Sequence, residues 1–186
     1  MIKTISNSLY RHTTGGAMSA FLALMLLFAL IIVPTIQSRV ESYSGGISLV
    51  DLQFSYTPEK VYSMISSYGE AGRKFYLAFA ASGDLIYPVV YSIFFSLIIS
   101  WLLQRGSKPD SGLRVLNVIP FGALLFDWLE NANLIAMLSN YPSTNENIAT
   151  LGSLCTMLKW GFGAASVLLL VVGLALAAKN GFRKQG

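Results

Sequence analysis

Apolar residues in this chain gather into four long blocks, each closed by polar or charged positions and by turn formers such as Gly45-Gly46, Pro109 and Pro142. The first block, residues 17–37, carries no charge between Arg11 and Arg39 and is long enough to cross a hydrocarbon core of about 30 Å. A cleaved leader would need a shorter apolar core and a small-residue cleavage site. Ile36-Gln37-Ser38-Arg39 offers a poor one, so a retained helix is expected. The other blocks cover residues 75–103, 113–138 and 148–178. The expected fold is all-α: a single membrane domain over residues 1–186, built as a four-transmembrane-helix bundle.

The segment 38–74 between the first two blocks holds a different pattern. Thr57-Pro58-Glu59 reads as N-cap, first-turn proline and early acid, which opens a helix. Val61, Met64, Ile65 and Tyr68 follow at helical spacing, and Gly69 can end it. A short amphipathic helix is therefore expected in this loop. Its apolar side would rest on the mouth of the bundle or on the lipid interface, beside Tyr56, Tyr62 and Tyr76. Ser44-Gly45-Gly46 reads as a flexible turn.

Composition agrees with a membrane chain, since 54% of 186 residues are hydrophobic and 12% charged, and the mean hydropathy is +0.58. The lone cysteine, Cys155, excludes an internal disulfide, and the lone histidine, His12, excludes histidine-based metal or nucleophile chemistry inside the bundle. No cofactor and no metal are expected. Lys3 and Arg11, then Arg105, Lys108 and Arg114, then Lys179, Arg183 and Lys184 cluster on three flanks, while residues 139–147 contain no base. Basic flanks stay cytoplasmic, so both termini are expected inside, at a bacterial inner membrane, and residues 38–74 outside. The net charge of +4 follows from that arrangement and gives no reason to expect nucleic acid as a partner.

The informative positions are polar residues inside the apolar blocks. Asp84 lies in the second, Asp127, Glu130 and Asn131 in the third, and Lys159 in the fourth. A charge at mid-bilayer costs at least about 2.5 kcal/mol, so such residues face one another or water. With a rise of about 1.5 Å per residue, Asp84 is expected roughly 12 to 15 Å below the outer end of its helix, level with Glu130 and Asn131, with Asp127 and Lys159 near roughly 18 Å. Asp127, Glu130 and Asn131 share one helix face, as do Asp84, Tyr87 and Tyr91, and as do Gly152, Thr156, Lys159, Gly163 and Ser166. Pro88 cannot donate to the Asp84 carbonyl, which leaves an extra acceptor beside the carboxylate. Pro34 and Pro120 fall near helix ends. Trp128 and Trp160 neighbour the charged layer and are expected to pack in the core, or to offer an indole N–H or a stacking face to a ligand.

The runs Tyr56-Thr57-Pro58-Glu59, Gly69-Glu70-Ala71-Gly72-Arg73, Asp84-Leu85-Ile86-Tyr87-Pro88 with Tyr91, and Asp127-Trp128-Leu129-Glu130-Asn131 resemble a family of small uncharacterised four-helix bacterial membrane proteins. The resemblance covers about residues 56–159 and implies the fold without an activity. The residues themselves suggest an outer-half pocket for a lipid-like or amphipathic small molecule. In it Asp84, Asp127, Glu130 and Lys159 are the candidate acid-base groups, and Tyr87, Tyr91, Asn131, Trp128, Trp160 and Thr156 the candidate binding groups. The alternatives are an accessory subunit of an oligomer or membrane complex whose buried charges fix helix packing, and a proton-coupled transporter. The transporter needs a polar path to the cytoplasm, and the inner halves of the second and fourth helices read as mostly apolar.

Overall fold

The computed structural model describes residues 2–182, and the described residues are helical without strands. The helices are α1 (Ile2–His12), α2 (Gly15–Leu27), α3 (Val33–Ser44), α4 (Pro58–Ser67), α5 (Gly69–Ala80), α6 (Gly83–Gly106), α7 (Pro120–Asn140) and α8 (Glu146–Phe182). A π-helical turn, Phe28–Ile32, joins α2 to α3, and short 3-10 segments lie at Val50–Leu52 and Gly112–Val118. Four helical stretches are long and apolar enough to cross a membrane: Gly15–Ser44, Gly83–Gly106, Gly112–Asn140 and Glu146–Asn180. The basic residues Arg183 and Lys184 lie outside the described residues.

Two boundaries differ from the sequence expectation for local reasons. The first stretch runs on to Ser44, because nothing in Ser38–Tyr43 breaks a helix. It stops at Gly45, whose φ of 70° is the left-handed cap and whose N–H returns to the Glu41 carbonyl. Ser44-Gly45-Gly46 is thus a helix cap with a set geometry. Pro34 consequently sits inside the helix, and the ladder before it loosens, with the Val33 N–H reaching back to the Phe28 carbonyl. A ring that crowds the carbonyl four residues earlier is accommodated by one extra residue in the turn.

The second span begins at Gly83, because the chain bends at Ala81-Ser82. The Ser82 hydroxyl bonds the Ala78 carbonyl at 2.6 Å, ending α5. Phe79 then covers Gly83 so closely that a Cβ there would stand 2.9 Å from its ring. Residues 75–80 therefore belong to α5, and Asp84 stands in the first turn of α6 instead of well below its outer end.

α6, α7 and α8 pack along one another, α2 leans on α6, and in the π-helical turn after α2 the Phe28 ring stacks on Tyr87 at 5.1 Å. Val167, Leu168, Val171 and Leu174 of α8 and Leu22, Leu26, Leu30 and Ile31 of the first span are exposed, as side chains facing lipid would be. The best-buried apolar core lies at one end, in a cap formed by the end of α3, the Leu49-Val50 segment, α4, α5 and the adjoining ends of α7 and α8. Thr57 accepts the Lys60 N–H at 3.2 Å and opens α4, whose Val61, Met64 and Ile65 enter that core with Tyr68. At the opposite end α1, an element not anticipated from the sequence, lies across the 3-10 segment. Its Ser6 and Tyr10 hydroxyls donate to the Arg114 carbonyl at 3.3 and 2.8 Å.

Candidate functional site

The ionisable residues of the spans meet just beneath the cap. Lys159 Nζ stands 2.6 Å from Glu130 Oε2, and Thr156 donates to Glu130 Oε1 at 2.7 Å. Glu130 is 1% exposed and the Lys159 side chain 13%, so this pair is withdrawn from solvent. Lys159 also donates to the Asp51 carbonyl at 3.0 Å. On the neighbouring face, Tyr91 donates to Asp127 Oδ2 at 3.0 Å. Asn131 Nδ2 bridges Asp127 Oδ1 at 3.4 Å and the Asp84 carbonyl at 3.1 Å.

That last bond answers the Pro88 expectation. The carbonyl that proline leaves without a helix partner exists, and Asn131 of α7 fills it. One residue on, the Trp128 indole N–H donates to the Leu85 carbonyl at 3.0 Å. Trp160 donates to the Gln53 carbonyl at 3.1 Å. Both rings are outward-facing, 43% and 44% exposed, so the expectation of core packing is corrected: they border the layer from its lipid side. Tyr87 stacks on Phe28 and meets Tyr91 edge to face at 5.4 Å.

Asp84 is the exception among the acids. It is 5% exposed, and its Oδ2 has no hydrogen-bond partner among the described residues. A buried polar oxygen left unmatched costs about 1 to 3 kcal/mol, more for a charged group.

Asp51 is the member that sequence reasoning missed. Its carboxylate accepts the Tyr76 hydroxyl, and its backbone carbonyl accepts from Lys159. The available signal was its setting, Leu49-Val50-Asp51-Leu52, an apolar run unlike the rest of the loop. Burial first, then the charge of Asp51, holds the Tyr76 hydroxyl well above the ordinary phenol range, so it stays a donor. Burial likewise raises Tyr56, with Glu130 adding to the effect. Tyr56 closes the cap from the other side: its N–H bonds Ser153 at 3.0 Å. Its hydroxyl lies where a Cβ on Gly152 would come within 2.6 Å, which is why that position is glycine.

The cluster is thus covered by residues 51–56. The sequence reading expected a pocket lined by Asp84, Tyr87, Asp127, Glu130 and Lys159; two open surface grooves lie elsewhere, one along the first span and one beside Gly106 and Lys108. Among the described residues, no group of three or more acids, histidines and cysteines converges as a metal site would require.

The far half of α6 is also more polar than its sequence suggested. Ser92, Ser96 and Ser100 continue the Asp84-Pro88 stripe at four-residue steps and are fully buried. Ser92 donates to the Pro120 carbonyl at 3.0 Å and Ser100 to the Ser96 carbonyl at 2.7 Å, while Asn117 donates to Ser100 Oγ at 2.8 Å and the Ser6 carbonyl at 3.2 Å. No protein-family model matches the chain, and comparison with curated proteins and with solved structures gave no match.

Proposed function

We propose that the chain is a four-helix-bundle protein of a bacterial inner membrane, with both termini cytoplasmic, whose polar layer binds the headgroup of an amphipathic small molecule and can exchange protons with it. The observation that carries this reading is the Asp84 carboxyl: buried, partly unmatched, and set among more acids than the single Lys159 can balance. A ligand bearing a hydrogen-bond donor or a positive charge supplies what Asp84 lacks. Entry follows displacement of the 51–56 segment, which the bonds from Lys159 and Trp160 and to Ser153 hold in place. The four-helix bacterial family that the sequence resembles remains the proposed kinship.

The test compares molecules co-purifying with the wild type, Asp84→Asn and Glu130→Gln by native mass spectrometry. A charge-assisted hydrogen bond is worth about 1.5 to 3 kcal/mol, so retention should fall about tenfold or more in either variant. Equal retention in all three, or none in any, refutes the reading. A second reading, that the layer is a clasp fixing helix packing within a membrane complex, is favoured by the bonds joining Lys159 to both Glu130 and the cap. It predicts that neutral replacements such as Asp84→Asn with Lys159→Met leave function intact while altering stability.

A further inference from the structure

A groove of about 750 Å³ runs along the outside of the first span, away from the charged layer. Its floor steps along one helix face in four-residue intervals, and its chemistry changes on the way. Leu30, Ile31 and Pro34 form one end, Ser38, Arg39 and Ser42 the other, and Phe75 of α5 makes the facing wall. From Leu30 to Ser42 the rise is roughly 18 Å, about the reach of an acyl chain with its headgroup. The apolar end points toward the middle of the span and the polar end toward the cap, which is the orientation of a lipid in the cap-side leaflet.

The polar end carries an unbalanced cation. Arg39 is exposed and makes no ion pair among the described residues, and its guanidinium rests over the Tyr43 ring at 5.3 Å. The acid two residues on, Glu41, is engaged by Gln37 at 2.8 Å. Ser38 and Ser42, one turn apart on either side of Arg39, are exposed at the same end of the groove; the Ser42 hydroxyl donates to the Arg39 carbonyl at 2.7 Å, and the Ser38 hydroxyl can donate to an anionic oxygen. A planar guanidinium beside a hydroxyl donor suits a phosphodiester. The loosened turn at Phe28–Ile32 and the proline after it leave this stretch of helix uneven, which opens the groove's apolar end.

From these observations we infer that this groove is a binding site for an anionic phospholipid of the cap-side leaflet, with the phosphodiester at Arg39 and an acyl chain along Leu30, Ile31 and Pro34. The full chain in detergent, titrated with phosphatidylglycerol and with phosphatidylcholine and read by native mass spectrometry, tests it. The wild type should prefer phosphatidylglycerol by about fivefold, the effect of one basic residue near an anionic lipid surface. Arg39→Gln and Ser42→Glu should each bring the two lipids to parity, and Arg39→Lys should keep most of the preference. Both positions are exposed, so the fold tolerates the changes. Glycerol phosphate, the headgroup without its chains, should not compete. Parity in the wild type, an undiminished preference in Arg39→Gln, or competition by glycerol phosphate overturns the assignment.

Discussion

The two ends of the α6 stripe solve the same problem in different ways. Toward α1, Ser92, Ser96, Ser100 and Asn117 are neutral, and most of their bonds go to nearby carbonyls and to one another. Such a set lets helices approach without a counter-charge, and the atoms it leaves unmatched among the described residues, Ser96 Oγ and Asn117 Oδ1, are neutral. Toward the cap, Asp84, Asp127, Glu130 and the added Asp51 stand against one ammonium. Packing alone does not call for that excess, and the contrast is the reason the proposed binding site is placed at the cap end.

Removing Lys159, the cation paired with Glu130, is the strongest way to strain this contrast. Lys159→Met leaves Glu130 buried without its partner and should destabilise the protein by about 3 to 5 kcal/mol, seen as a lower thermal midpoint in detergent. Adding Glu130→Gln to that variant should recover most of the loss. Asn131→Leu comes next, at about 1 to 3 kcal/mol by the same measurement, since it strips a donor from both the Asp84 carbonyl and Asp127. Tyr76→Phe, which withdraws the donor from Asp51, should cost about 1 kcal/mol and quicken proteolysis in the 47–57 segment before it affects the spans. Ser100→Ala should be the mildest, about 0.5 kcal/mol, because its hydroxyl bonds back to its own helix and Asn117 retains Ser6. A loss for Ser100→Ala as large as that for Lys159→Met would erase the distinction between the ends.

Much of this was legible in the residues. Apolar blocks mark the membrane-crossing helices because lipid demands continuous apolar surface, and charges inside those blocks mark the layer because they cannot be left unpartnered. Helix ends were less legible. Gly45 and Ser82 set them through a left-handed cap and a hydroxyl bonded backwards, events of one or two residues that hydropathy averages away. Asp51 escaped for the opposite reason: in a loop, an acid reads as solvated unless its apolar neighbours are weighed. The serine steps escaped because serine is small enough to pass for apolar packing, and α1 because short basic flanks are read for their charge before their periodicity.

α8 is a single continuous rod of 37 residues, roughly 55 Å at 1.5 Å per residue and well beyond the thickness of a bilayer core. Such a rod answers a change in membrane thickness by tilting, and tilting sweeps its extremities while its midpoint stays nearly still. Lys159 sits about a third of the way along that rod, with the cap's Ala149 nearer the tip. Tilting of that rod would therefore carry a change in membrane thickness to the seam between cap and bundle.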